Sequence, residues 1–183
     1  MVRSIKQRAL SEVVSTLILL VVAVLLAAVA TYYATNITMT RTQNEEVSFS
    51  KVHIWVNSTG AVGAFKLSNL GGKDILIDKI AVRGVEEAWA DVFYYRVASG
   101  SSVDEDLNVT SWANLAGTPT IDGRVYAAAT GDMPLPSGAE LLVYIAGPDN
   151  VQLDDIGTAI SISVYTNNAN FITEVNVESA TTN

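Results

Sequence analysis

The sequence predicts an α+β chain: a long hydrophobic N-terminal α-helix followed by an all-β head, an antiparallel sandwich of Ig-like architecture. Three observations carry this expectation. Between Val13 and Ala34 the only polar side chains are Ser15, Thr16, Thr31 and the hydroxyls of Tyr32 and Tyr33, with no Gly, Pro or charge. From Val47 onward, short β-type runs are split by turn signals every 8–15 residues. No helical period separates those runs, so there are no crossover helices and a parallel α/β fold is excluded.

As a helix, the 22 residues from Val13 to Ala34 span about 33 Å, enough for the ~30 Å hydrocarbon layer of a bilayer. Leu17, Ile18, Leu19, Leu20, Val21 and Val22 are consecutive, so the apolar surface runs right round. Such a helix must be buried on all sides, in lipid or among other helices. Arg3, Lys6 and Arg8 precede it, and Glu12 follows them. Ala23, Ala27, Ala28 and Ala30 lie on related faces and permit close helix approach. Residues 36–46 are polar and lack periodicity, and read as the last helical turn plus a connector. The chain therefore divides into a basic leader (1–9), a hydrophobic helix with its connector (10–40) and a β-head (41–183).

Within the head, Val52, Ile54 and Val56 alternate with Lys51, His53, Trp55 and Asn57. After the turn at Asn57–Gly60 come strand candidates at 61–69 and 73–83, the second almost continuously apolar. Phe93–Val97, Val109–Leu115 and Arg124–Ala129 are further candidates. Pro134-Leu-Pro-Ser-Gly138 turns the chain into Glu140–Ala146. Ala159–Thr166 alternates cleanly, and Asn167–Asn170 turns into Phe171–Val177. Eight or nine strands of this kind make a sandwich. The Cys and Trp signature of true Ig domains is missing, so the likeness is architectural.

Beyond residue 40 stand eight basic against eighteen acidic residues, a formal charge of −10. That balance disfavours nucleic acid as a partner, and none is expected, because phosphate binding needs clustered Lys and Arg. With no Cys, neither disulfides nor thiolate metal sites are available. The single His53 excludes a cluster of His ligands and, placed within a strand, makes nucleophilic catalysis an unsupported reading. Gly71-Gly72-Lys73 is a turn, not a phosphate loop. Asp104-Glu105-Asp106, and Asp149, Asn150, Asp154 and Asp155, are oxygen-rich but lack the spacing of a calcium loop. No catalytic, cofactor or metal site is expected. Trp89, Phe93, Tyr94, Tyr95 and Trp112 are expected in the core rather than at a ligand. Asn36, Asn57 and Asn108 each open an Asn-x-Thr sequon, a candidate for N-glycosylation.

The N-terminus admits two readings. In one, Ala28-Val29-Ala30 is a secretory cleavage site and a soluble β-domain is released. In the other, cleavage precedes the apolar run, after Arg8-Ala9, and the helix is retained. The apolar pattern continues through Tyr32, Tyr33 and Ala34, longer than an ordinary signal core. Ser11, Glu12, Ser15 and Thr16 also interrupt the boundary between basic head and apolar run. A chain starting at Leu10 places Glu12 in its first turn, where the positive end of the helix dipole favours a carboxylate. These features support retention.

The stretch Lys6-Gln-Arg-Ala-Leu-Ser-Glu-Val-Val-Ser-Thr-Leu-Ile-Leu-Leu-Val-Val-Ala resembles the N-terminal region of archaeal type IV pilins, over roughly residues 3–34. The resemblance implies a leader peptidase cutting between Ala9 and Leu10 at the cytoplasmic face. It implies a precursor held in the cytoplasmic membrane with its head outside, as the basic residues also suggest. It further implies an assembly ATPase with its platform, a helical homopolymer of identical subunits, and a β-sandwich head on an extracellular adhesive filament. Leu17, Leu20, Val21, Val24, Leu25 and Ala28 would then line the filament core. Archaellins share this plan but usually carry a Gly near the helix start, which this chain lacks, so pilus is preferred to archaellum. Bacterial pilins place Glu at the fifth mature position. Glu12 would be third, and the bacterial role in subunit registration is not carried over. A secreted or membrane-anchored β-sandwich surface protein remains the alternative.

Overall fold

The computed structural model describes residues 2–98 and 100–180, with the side chains of 2–9 and 41–43 outside the description. Two compact units result, Met1–Thr42 and Gln43–Asn183. The first is one helix, α1 (Val2–Gln43). It outruns the single last turn expected from Asn36 onward, leaving only Asn44–Glu46 to connect it to the first strand. Thr38 and Thr40 turn their hydroxyls back onto the carbonyls of Ala34 and Asn36, both at 2.8 Å. Both hydroxyls are thus satisfied within the helix, and neither serves as a cap. No Gly or Pro intervenes before Gly60.

The second unit is a β-sandwich, with twelve strands among the described residues: β1 (Val47–Asn57), β2 (Gly60–Asn69), β3 (Ile75–Val82), β4 (Val85–Glu86), β5 (Val92–Arg96), β6 (Thr120–Ile121), β7 (Arg124–Val125), β8 (Ala127–Ala128), β9 (Met133–Leu135), β10 (Glu140–Ala146), β11 (Ala159–Thr166) and β12 (Asn170–Ser179). One layer runs β1-β2-β10-β5-β8, the other β4-β3-β11-β12 with β9 also on β3, and β6 pairs with β7 alone. Among the described residues every pairing is antiparallel but one. The first and last strands run side by side in the same direction, Ile54–Val56 against Val177–Ser179, and this parallel contact joins the two layers.

Strand β1 changes phase along its length. Val47 and Phe49 pack on the main core, and so do Val52, Ile54 and Val56, an odd series giving way to an even one. The shift falls between Ser50 and His53 in the pairing with β2, where Lys51 takes φ +52°. One inserted residue flips every later side chain to the opposite face, the signature of a bulge.

The main core lies between the layers, with Phe65, Leu67, Leu141 and Val143 meeting Ile77, Ile80, Ile162 and Val164. A second core is absent from a two-layer reading. The outward face of β1, β2, β10 and β5 presents Trp55, Val62, Ala64, Leu142, Tyr144 and Phe93, and Val103, Leu107, Leu115, Ile121 and Tyr126 cover it. The head is thus three layers deep there, and β10 reads Leu-Leu-Val-Tyr-Ile-Ala because both its faces are buried. The covering segment corrects two strand expectations. Val109–Leu115 holds no strand, only a short 3-10 turn at Trp112–Asn114. Arg124–Ala129 shrinks to the pairs β7 and β8. Its apolar residues lack a period of two because they plug a face rather than line one.

Candidate functional site

Helix α1 is the feature that demands a function. From Leu10 to Thr40 it runs 31 residues with a mean hydropathy of 3.0 in its most apolar window, and none of that window is buried within the chain. It is long and apolar enough to cross a membrane. Leu17, Leu20, Val21, Val24 and Leu25 are each more than half exposed, and Ala28 is exposed as well. Exposing that much hydrocarbon to water is untenable at roughly 1.5–3 kcal/mol per large side chain.

The helix is also prepared for an environment without water. Ser15 Oγ donates to Ser11 O at 2.8 Å, Thr16 Oγ1 to Val13 O at 2.9 Å, and Thr31 Oγ1 to Ala27 O at 2.8 Å. Thr35 Oγ1 donates to Thr31 O at 2.8 Å. Each hydroxyl proton is therefore used within the helix, which removes the main cost of placing these residues in lipid or in a helix bundle. Nothing in the residue pattern alone distinguishes this back-bonding from capping.

Ala9 and Leu10 sit inside the continuous helix Val2–Gln43; the Ala9 side chain lies outside the described residues, and Leu10 is exposed. Glu12 consequently occupies the helix interior and not a first turn. Its expected place at the positive end of the dipole exists only in a chain that begins at Leu10. Asn36 is helical as well, as a last helical turn beginning there requires, and the helix continues to Gln43.

In the head, polar groups are spent on holding the fold. Lys66 Nζ donates to Glu140 Oε1 at 2.9 Å and to Val103 O at 3.2 Å. Burial raises the Glu140 pKa, but hydrogen bonds from Lys66, Val103 and Ser102 outweigh it and hold the group below its usual value. Glu45, just after α1, accepts from Thr166 Oγ1 at 2.7 Å and from Asn168 Nδ2, with Lys73 Nζ at 3.7 Å. There too burial raises the pKa, and Asn168, Thr166 and Lys73 together lower it further than burial lifts it. Asn69, fully buried, donates to the carbonyls of Lys73 and Leu135 and accepts from Gly71 N.

His53 is a partnered strand residue. Its Nε2 lies 3.0 Å from Asp106 Oδ1, and its ring stacks on Trp55 with centroids 4.9 Å apart. Glu178 Oε1 is 3.5 Å from Nδ1, within ion-pair range but without hydrogen-bond geometry, while Glu178 Oε2 accepts from Trp55 Nε1 at 3.1 Å. The hydrogen bond to His53 is the chief reason the Asp106 carboxyl lies below its usual value. Asp155 pairs with Arg83 at 3.0 Å and closes the 3-10 turn at Leu153–Asp155 through Gln152 N. Glu105 lies 3.4 Å from Arg124. Among the described residues no group of three His, Asp or Glu side chains is arranged to hold a metal.

Phe93 is buried, and Trp89, Tyr94 and Tyr95 are half-buried against the two cores. Trp112 is the exception at 47% exposed. Its indole lies over Gly60 and Gly147, and a Cβ on Gly147 would sit 2.9 Å from the indole nitrogen.

Asn57 and Asn108 lie in the head. Asn57 ends β1 and Asn108 lies in the covering segment, with Nδ2 donating to Asp122 Oδ1 at 2.6 Å. No protein-family model matches the chain, and no curated protein matches it significantly.

Proposed function

We propose that the chain is a pilin, the structural subunit of an archaeal type IV pilus, polymerising through α1 into an extracellular adhesive filament. The observation that carries this reading is a 31-residue apolar helix, exposed on every side and with its Ser and Thr hydroxyls turned inward, joined to a head that has its own closed cores. A head with a complete core has no need of the helix for folding, and the helix has no use in water except to be buried elsewhere. The precursor holds α1 in the cytoplasmic membrane with Arg3, Lys6 and Arg8 inside. A leader peptidase removes residues 1–9, and an ATPase-driven platform moves the helix from lipid into a bundle of identical helices. Transfer from lipid to bundle gains little hydrophobic energy, since both are apolar, so packing and the machine must supply the drive. The role is structural, without catalysis or cofactor.

The test is electron microscopy of material sheared from the cell surface, with N-terminal sequencing of the chain recovered. Filaments whose subunit begins at Leu10 are expected. A subunit beginning at Thr31, or an uncut chain that never leaves the membrane, would replace this reading with a secreted or anchored surface protein.

A further inference from the structure

The three sequons are held in three different states, and the differences decide which one serves as a glycan acceptor. We propose that Asn57 is the site of an N-linked saccharide on the folded chain, and that Asn36 and Asn108 are not.

At Asn57 the acceptor geometry is already built. Asn57 closes β1, and the tight turn to β2 folds the sequon on itself. Asn57 Oδ1 accepts from Thr59 N at 2.9 Å, from Thr59 Oγ1 at 2.6 Å and from Gly60 N at 3.1 Å. Ser58 and Thr59 are exposed. Among the described residues the Asn57 Nδ2 amino group makes no hydrogen bond. Three donors on the carbonyl oxygen draw electron density out of the amide and make its N–H protons more acidic. The nitrogen becomes nucleophilic only once an Nδ2 proton is removed, because its lone pair is otherwise delocalised into the carbonyl, and the same donors stabilise the amidate oxygen that results. The threonine hydroxyl required by the sequon is one of those donors.

Neither other sequon offers this. Asn36 lies within α1, where residues two apart point to different sides of the helix. Thr38 Oγ1 donates to Ala34 O at 2.8 Å instead. Bringing that hydroxyl to the Asn36 amide would require unwinding the helix. At Asn108 the amide nitrogen is engaged by Asp122 Oδ1 at 2.6 Å, and the backbone carbonyl accepts from the buried Tyr144 hydroxyl at 2.9 Å. Moving it would disturb the second core.

The co-reactant is a saccharide carried on a polyprenyl phosphate or diphosphate, used by a membrane glycosyltransferase. A bond forms between Asn57 Nδ2 and the sugar anomeric carbon, and the bond from that carbon to the phosphate oxygen breaks. Its electron pair leaves with the phosphate, and the Nδ2 proton passes to a base on the transferase. The step requires only that the head reach the outer face of the membrane, and it is independent of polymerisation.

The test is glycopeptide mass spectrometry of the full chain purified from the cells that make it, alongside Asn57→Gln, Thr59→Ala, Thr59→Ser and Asn108→Gln. The Asn57 peptide is expected to carry a saccharide mass that disappears in Asn57→Gln and Thr59→Ala. Thr59→Ser keeps the hydroxyl donor and should keep the modification, which separates loss of chemistry from loss of fold. Asn108→Gln should leave the intact mass shift unchanged. An unmodified Asn57 peptide, or saccharide on Asn108 or Asn36, would overturn the assignment.

Discussion

Lys66 Nζ lies 2.9 Å from Glu140 Oε1 across β2 and β10, with both side chains largely withdrawn from water. The same ammonium donates to Val103 O, and Glu140 accepts from Val103 N at 3.3 Å and from Ser102. This ion pair therefore pins the start of the covering segment to the sheet it covers. Lys66→Met leaves a carboxylate in a partly dry site and should cost about 3 kcal/mol, whereas adding Glu140→Leu should recover much of it. Chemical denaturation of the detergent-solubilised full chain, followed by near-ultraviolet circular dichroism, measures both. Additive losses in the double variant would show that the two groups act separately.

Glu87 makes the opposite case. It is 7% exposed and its Oε1 has no hydrogen-bond partner among the described residues. Burial pushes its pKa up to about 7, and the charges of Asp149 and Asp91 add to the rise. The folded state holds this proton where the unfolded chain, near 4.5, has lost it. Its contribution to stability is complete below about pH 4.5 and disappears as pH rises through 7. Glu45 and Glu140, with lowered values, act in reverse: they stabilise above about pH 4.5 and fail as pH falls through their folded values. The head should be most stable between those limits. Glu87→Gln should stabilise the head at pH 8 by on the order of 2 kcal/mol, seen as a higher melting temperature, and change little at pH 5. A rise of equal size at both pH values would assign the effect to packing instead.

Gly71 sits where the chain entering β1 passes the turn after β2. A Cβ there would lie 2.5 Å from Asn44 O and 2.8 Å from Glu46 N, both backbone atoms that have no rotamer in which to retreat. Gly71→Ala should lose roughly 1–3 kcal/mol, read from a thermal melt. Gly84→Ala is the contrast, because nothing lies within 4 Å of its Cβ position and only its φ of +82° resists.

A charge in the middle of α1 tests the assembly reading directly. Val21→Asp or Leu25→Lys costs about 2.5–3.5 kcal/mol in a membrane helix centre, and no described residue offers a counter-charge on that stretch. Filaments should vanish in both variants while the head keeps its native circular dichroism. Filaments persisting in either would exclude α1 as the filament core.

Much of this was legible from residue order alone. The run from Val13 to Ala34 specifies an apolar helix because its side chains carry almost nothing else. Alternation located β1 and β11, and short apolar runs between turn signals located β2, β3, β5, β10 and β12. The short pairs β4, β6 and β9 went unseen, since two or three residues cannot display a period. Val109–Leu115 has strand-like composition yet forms none: Leu115 joins the second core, while Val109 and Trp112 stay exposed.

The chain's own order of residues thus determined that a greasy helix precedes a β-sandwich, that thiol chemistry is unavailable, and that the head is acidic. Only tertiary structure decided that β1 and β12 run parallel, that a second core underlies residues 103–126, and that Lys66, Glu140, Asn57 and Thr59 stand in the arrangements described. The reason is range. Hydrophobic periodicity is a property of neighbours in sequence, whereas an ion pair 74 residues apart, or a loop laid over a distant sheet face, exists only once the backbone has brought those groups together.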